Sequence, residues 1–375
     1  MASDAWLTLL DAAQRGSPKP WIDTLRACGS PEAVASQSPR ALIERGLPEE
    51  AVATLAAPDR NKHESWRAWL ARPQRALVTF GSADYPQRLA EIPDAPLALW
   101  VEGPELALLA APQLAIVGSR SPTRTGRETA EQFARYLCQR GLCITSGLAT
   151  GIDGASHRGA LPELGGTVAV LGCGIDVVFP RIHAQLTAEI AARGLVVSEF
   201  APGVEPQKHF FPQRNRIIAG LSLGTLVVEA TRRSGSLITA GLAMDYGREV
   251  FAVPGSIHNP LARGCHLLIR QGAKLVEEAA DVLVELAPLL ELSGIVLEPP
   301  PQAADEPVDA RFASDPAYDN LLNELAFSPI SIADLGGRVQ LTTAELSSML
   351  LLLELEGLVE ALPGGRYVRS GKKKR

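Results

Sequence analysis

The stretch Lys208-His-Phe-Phe-Pro-Gln-Arg-Asn-Arg-Ile-Ile-Ala-Gly-Leu-Ser222 holds three permanent cations (Lys208, Arg214, Arg216), two adjacent rings (Phe210, Phe211) and an amide (Asn215). Cations neutralise phosphate oxygens, and flat rings stack on nucleobases whatever their sequence. An unpaired polynucleotide needs both from the groove that holds it. Pro212 fits the first turn of a helix, where its missing N–H costs nothing. Ile217, Ile218 and Leu221 can anchor that helix on a core. The bland alternative, an amphipathic helix with solvated arginines, is equally open on this stretch alone.

Three further loops carry groups suited to anions. Gly118-Ser119-Arg120 follows the apolar run Leu114–Val117. Its glycine allows close backbone approach, its serine supplies a hydroxyl, and its arginine supplies a planar fork that fits phosphate. Ser146-Gly-Leu-Ala-Thr-Gly-Ile-Asp-Gly154 has the glycines of a backbone nest at a helix N-terminus. Arg232 and Arg233 precede Ser234-Gly235-Ser236, again ahead of a helix. Any one of these loops could be a tight turn and nothing more. Four of them together favour an anion-binding edge.

The elements that must position these loops alternate. Apolar runs at 114–117, 142–145, 167–171, 195–198, 225–228, 249–253 and 274–276 are separated by amphipathic helical segments. That pattern predicts an α/β domain, an extended Rossmann-like, doubly wound parallel sheet over residues 73–290. Ligands bind such sheets beyond the carboxyl ends of the strands, where the four loops lie. Two flanking domains are expected. Residues 1–72 read as a small helical domain of the SAM or helix-hairpin-helix kind, with Ser30-Pro31-Glu32 and Ser38-Pro39 as helix starts. Its turn Gly16-Ser-Pro-Lys-Pro20 is proline-rich, which favours a structural or interaction role over DNA binding. After a proline-rich, acidic linker at 291–315, residues 316–370 read as a winged helix. Thr342 and Glu345 form a capping-box pattern before its third helix. That helix carries Glu345, Glu354 and Glu356 and no Lys or Arg, unlike a helix that reads the major groove. A protein-contact or regulatory role follows, and residues 371–375 form a basic tail.

The formal net charge of −6 over 375 residues first argues against a polyanionic partner. The charge is unevenly placed, however. Residues 276–365 hold 17 acids and 2 bases, whereas residues 205–275 hold 9 bases and 4 acids. Local potential is what steers a polyanion. No signal peptide or bilayer-length apolar run stands out, so a cytoplasmic location without a membrane is expected. Cys28, Cys138, Cys143, Cys173 and Cys265 are odd in number without a C-x-x-C pair, and read as free thiols. The dinucleotide fingerprint is absent: Gly118 is followed by Arg120 and Pro122, and Gly172-Cys-Gly174 lacks a third glycine. With no Walker lysine either, no cofactor and no metal are expected.

In order along the chain, five motifs resemble the DprA/Smf family of DNA-processing proteins. They are Gly-Ser-Arg120, Ser146-Gly-x-Ala-x-Gly-Ile-Asp-Gly154, Phe211-Pro-x-Arg-Asn-Arg-Ile-Ile-Ala-Gly-Leu-Ser222, Ser234-Gly-Ser-Leu-Ile-Thr-Ala-Gly241, and Pro254-Gly with Asn259-Pro-x-x-x-Gly264. The resemblance implies a non-enzymatic, homodimeric protein that binds incoming single-stranded DNA during natural transformation. It would protect that strand and help load the recombinase RecA. On the same basis Ser119 and Arg120 match a phosphate-binding loop, and Lys208 and Phe211 a cation and a stacking ring. Arg214, Asn215 and Arg216 match the pocket floor, and Ser234 and Ser236 the loop at the next helix start. His183 departs from the Tyr-Pro-x-x-Asn pattern, here Phe179-Pro-Arg-Ile-His.

Two rival readings remain. Gly224-Thr-Leu-Val-Val-Glu229 is similar to the Gly-Thr-x-x-Glu segment of nucleotide phosphoribohydrolases, in which a glutamate assists cleavage of the base–ribose bond. Glu229 is also readable as a strand-end carboxylate orienting Arg216 or Arg232. The other rival is a protein scaffold with an incidental basic edge.

Overall fold

A computed structural model describes residues 3–14, 16–292, 316–325, 329–339, 341–355 and 357–370. The predicted linker falls almost entirely, and the basic tail wholly, outside the described residues, as does Glu356. The chain divides into two compact units, Met1–Glu298 and Pro299–Arg375.

The first unit opens with helices α1–α6 (Asp4–Ala12, Lys19–Cys28, Pro31–Ala35, Pro39–Glu44, Glu49–Ala56 and Arg60–Leu70). The Ser30 and Ser38 hydroxyls cap α3 and α4 by accepting from the N–H groups of Ala33 and Ala41, as their place before proline predicts. Strands β1 (Arg75–Thr79) and β2 (Ala98–Glu102) flank the short α7 (Gln87–Ala90). The alternating part then runs β3 (Gln113–Val117), α8 (Arg124–Gln139), β4 (Cys143–Ser146), α9 (Ile152–Ala160) and β5 (Thr167–Leu171). It continues through α10 (Ala184–Arg193), β6 (Leu195–Ser198), α11 (Phe210–Leu221), β7 (Gly224–Val227) and α12 (Ser236–Asp245). Strand β8 (Glu249–Ala252), α13 (Arg263–Arg270), β9 (Lys274–Leu275) and α14 (Ala279–Leu292) complete it.

All nine strands form one sheet, in the order β1-β2-β6-β5-β4-β3-β7-β8-β9. From β6 to β9 the neighbours are parallel. Strands β1 and β2 extend that sheet antiparallel beyond β6, an addition the alternating pattern does not contain. The chain winds outward from β3 to β6, returns beside β3 as β7, and winds the other way. The crevice between β3 and β7 is therefore the topological switch point.

Side-chain alternation sorts the two faces. Ala115, Val117, Val227, Val250 and Ala252 join α11, α12 and α13 on one face. Leu114, Ile116, Leu226, Val228 and Phe251 meet α8, α9 and α14 on the other. The N-terminal helices share this core. Trp21, Ile22 and Leu25 pack with Leu97 and Leu99, and the rings of Trp66 and Trp69 lie 5.4 Å and 5.7 Å from that of Trp100. Four of the five free cysteines are buried, and Cys28 is half-buried.

His157 of α9 is wholly enclosed. Its Nδ1–H donates to the Thr167 hydroxyl at 2.7 Å, and that hydroxyl donates to the Ile144 carbonyl. Burial, with His183, Arg214 and Arg158 nearby, pushes the ring down to about 3 from the ordinary 6.5. Between those values the unfolded chain takes a proton that the folded chain refuses. Stability is therefore lost as pH falls through that window. By pH 4.5 the loss from this residue is about 2–3 kcal/mol. Urea unfolding at pH 7 and 4.5 checks this: His157→Gln should show a smaller drop than the parent chain, and an equal drop would count against it.

The second unit is described by itself. Helix α15 (Pro316–Glu324), β10 (Ile330–Ser331), α16 (Ile332–Val339), α17 (Thr343–Leu355), β11 (Val359–Leu362) and β12 (Arg366–Arg369) form a winged helix with sheet order β10-β12-β11. The capping box is present: Thr342 N–H and hydroxyl donate to Glu345, whose own N–H donates back to the hydroxyl. Leu346, Leu350 and Leu353 of α17 fill the core, while Leu351, Leu352 and Leu355 are exposed beside Glu345 and Glu354.

Candidate nucleic-acid interface

At the switch point a cavity of about 400 Å³ opens above the carboxyl ends of β3 and β7. Gly118, Ser119 and Arg120 line it after β3, and Ser234, Gly235 and Ser236 after β7. Phe211, Arg214 and Asn215 enter from α11, with Ala149 from the loop after β4 and Asp153 from the first turn of α9. The four loops singled out in the sequence thus meet at one rim. Of the expected site residues, Lys208 and Arg216 do not line this cavity. Lys208 is exposed in the turn just before α11.

Helical period explains the division within α11. Phe211, Arg214, Asn215 and Ile218 stand at i, i+3, i+4 and i+7, one face of a helix. Arg216 lies on the opposite side. It is 3% exposed, its Nε 3.2 Å from Asp94 and its Nη2 paired with Glu199. It ties the helix to β6 and to the turn before β2, and presents no charge to the groove.

Arg214 sits at the base of the cavity and is 4% exposed. Its Nη1 donates to the carbonyls of Gly147 and Val170, at the ends of β4 and β5. Burial lowers its pKa to about 10, against the pull of the Asp153 carboxylate. Gly147 is glycine because a Cβ there would strike the guanidinium. The Asp153 carboxylate accepts from Gly147 N–H at 3.1 Å and Ala149 N–H at 3.3 Å. This corrects one expectation: the amides of the glycine-rich loop at 147 and 149 are occupied by the chain's own carboxylate. The loop's work is to seat Arg214 and Asp153.

Phe211 is held at the cavity. Its ring nestles over Gly172, where a Cβ would come within 2.8 Å of Phe211 Cδ1. Gly172 is thus the ring's seat. The Arg120 guanidinium lies 5.9 Å from the ring centroid on an exposed side chain. Phe179, 42% exposed, packs against the same ring at 5.4 Å. In the sequence Phe179 stands only as the first residue of the Phe-Pro-Arg-Ile-His segment in which His183 departs from the pattern, with no role of its own. Its aromatic type, followed by Pro180 and Arg181, was the available signal. At the other wall the Ser234 and Ser236 hydroxyls are 2.7 Å apart at the start of α12, where partial positive charge favours an anion. The Ser119 hydroxyl accepts from Ser121 N–H and keeps its own proton to donate.

Glu229 is committed elsewhere. Its carboxylate accepts from Thr123 N–H at 2.8 Å and the Thr123 hydroxyl at 2.7 Å, while that hydroxyl caps α8 through Gly126 N–H. A Cβ on Gly126 would collide with the carboxylate. The glutamate orients neither Arg216 nor Arg232, as had been considered, but secures the start of α8. Its backbone carbonyl accepts from Ser119 N–H at 2.6 Å and so fixes the Gly-Ser-Arg loop.

Comparison with known proteins gives this geometry a context. A family profile described as DNA recombination-mediator protein A matches residues 76–287, and the DprA winged helix domain matches residues 298–365. Protein Smf of Escherichia coli (strain K12) is 43% identical over 316 residues, covering 83% of this chain and 81% of that protein. The DNA processing protein DprA of Streptococcus pneumoniae is 50% identical over 220 residues, covering 58% of this chain and 77% of the relative. A crystal structure of S. pneumoniae DprA superposes with a TM-score of 0.67 at 36% identity, over 76% of this chain and 99% of that one. The Helicobacter pylori DprA, described as having a unique single-stranded DNA binding mode, gives 0.52 at 29% identity, over 56% of this chain and 96% of that one. On its sequence, on the matched domains and on the shared fold, the chain belongs to the DprA/Smf family of DNA-processing proteins.

Proposed function

We propose that this chain binds single-stranded DNA in the groove at the switch point during natural transformation. It does so in the cytoplasm and as a homodimer, protects the strand, and helps load RecA onto it for homologous recombination. The observation that carries the reading is Phe211, seated on Gly172 between Arg120 and Phe179 at a cavity walled by Ser119, Ser234 and Ser236. A base can stack on the ring while its phosphates meet Arg120, the serine hydroxyls and the start of α12. Arg214 takes part from behind, as a buried charge fixing two strand ends. Arg216 takes part only by holding α11 in place.

Binding to single- and double-stranded oligonucleotides across a salt series tests this. The single strand should bind more tightly, with log affinity falling linearly against log salt. Lys208→Ala removes an exposed cation from the turn that leads into α11 and should lower that slope by about 0.7. Preference for the duplex, or an unchanged slope, would overturn the assignment. Faster RecA filament formation on oligonucleotide bearing the protein, and a dimer mass in solution, test the finer parts separately. The phosphoribohydrolase reading requires Glu229 at the cavity, whereas its carboxylate holds Thr123, the residue that caps α8. Free base released from nucleoside monophosphates would revive that reading.

A further inference from the structure

A second cavity in the first unit, about 710 Å³, adjoins another part of α11. Ala13 lines it from the turn after α1, and Phe200, His209, Phe210, Glu199 and Gln213 from the main fold. Phe210 and Phe211 are consecutive at the start of α11, so their side chains diverge by about 100°. Phe211 serves the switch-point groove and Phe210 this second space. The Phe210 ring lies 4.1 Å from that of Phe200, tilted 31°, and 4.5 Å from that of His209. Both phenylalanines are only half-buried. A purely structural cluster of this kind would close on itself. Here the rings border a space within the roughly 300–1,000 Å³ range of small-molecule sites.

The polar lining groups suit a base. Glu199 holds Arg216 and accepts from the Gln213 amide at 3.2 Å, which leaves the Gln213 carbonyl oxygen and further carboxylate lone pairs as acceptors. The exocyclic amino groups of adenine, cytosine and guanine are donors of that kind. Lys208 is exposed on the turn that leads into both rings. An α-helix is about 10–12 Å across with its side chains, a span that a few extended nucleotides cover.

We infer that this second cavity takes a nucleobase of the same single strand, in addition to the one stacked at Phe211. The inference rests on the single-strand reading above and lengthens the site across the start of α11. It assigns the helical front of the chain a function: Leu10, Ala13, Gly16 and Pro18 form one wall of a base pocket.

The test uses the full chain and two oligodeoxycytidylates, one of about 4 and one of about 12 nucleotides, both within the roughly 4–16 nucleotides that a single-strand-binding OB fold covers. Ala13→Trp fills the cavity from the wall opposite α11. It should leave the affinity for the short oligomer unchanged and lower that for the long one about tenfold, the loss of one stacked base. Phe210→Ala should lower long-oligomer affinity by a similar factor, and Phe210→Trp should restore it. Long-oligomer binding at the parental level in both Ala13→Trp and Phe210→Ala overturns the second pocket, as does an equal loss at both lengths with Ala13→Trp. A parent chain that binds neither oligomer overturns the single-strand reading itself, and the two failures are thereby distinct.

Discussion

Arg214→Ala should lower the unfolding free energy of the first unit by about 3–5 kcal/mol. The melting temperature should fall by roughly 10 °C. The guanidinium is buried, donates to the Gly147 and Val170 carbonyls, and faces the buried Asp153 carboxylate. Removing it leaves two carbonyls without their donor and takes a positive charge away from the Asp153 carboxylate, at the largely buried base of the groove. Asp153 is already pushed above the ordinary carboxylate range by burial, against the pull of Arg214. Without that pull it rises further and becomes neutral at a higher pH. Arg214→Met fills most of the volume and should recover part of the loss. What it does not recover measures the unmet carbonyls. Thermal melts of the three chains decide the matter. A melting point for Arg214→Ala within about 1 °C of the parent would mean that the guanidinium is solvated and that the base of the groove is built differently.

Arg214 and Arg216 look alike in the sequence, two cations beside an amide, and the fold uses both internally. The separation of Arg216 from the groove was legible. Two residues along a helix is more than half a turn, so Arg216 cannot share a face with Phe211 and Arg214. The depth of Arg214 was not legible, because it depends on Gly147 and Val170, which reach it only through the order of the strands. The same limit hid the role of Gly172. A glycine two residues before another suggests a phosphate turn, and nothing local shows that an aromatic ring from α11 lies on it. Asp153 was read as part of an anion nest, since glycines, amides and a helix start were all present. The chain supplies its own anion there. Patterns local to one element transferred well: the alternating strands and helices, the serine caps of α3 and α4, and the capping box of α17. The apolar runs at 76–80 and 98–101 read as strands, and β1 and β2 form there, but their antiparallel pairing and the three-tryptophan contact that joins α6 to the sheet depend on distant residues.

The double replacement Arg120→Ala with Phe211→Ala should reduce single-strand affinity by about two to four orders of magnitude, or roughly 3–5 kcal/mol. Stacking on one ring contributes about 1–3 kcal/mol. A hydrogen bond to a charged group contributes about 1.5–3 kcal/mol. The two losses should not add. The Arg120 guanidinium lies 5.9 Å from the Phe211 centroid, close enough for each to position the other. The single replacements should therefore sum to more than the double, with a coupling of about 0.5–2 kcal/mol. Salt separates the two parts. Arg120→Ala removes a phosphate contact and flattens the dependence of log affinity on log salt, whereas Phe211→Ala lowers affinity with the slope kept. Phe179 remains beside the vacated ring position and should hold part of the stacking, so Phe211→Ala alone loses less than Phe179→Ala with Phe211→Ala. Equilibrium titrations of the five chains (the parent, the two single replacements and the two double replacements) at three salt concentrations give every quantity. Strictly additive losses would mean that the cation and the ring act on separate parts of the strand. A slope that changes with Phe211 and not with Arg120 would reverse their roles.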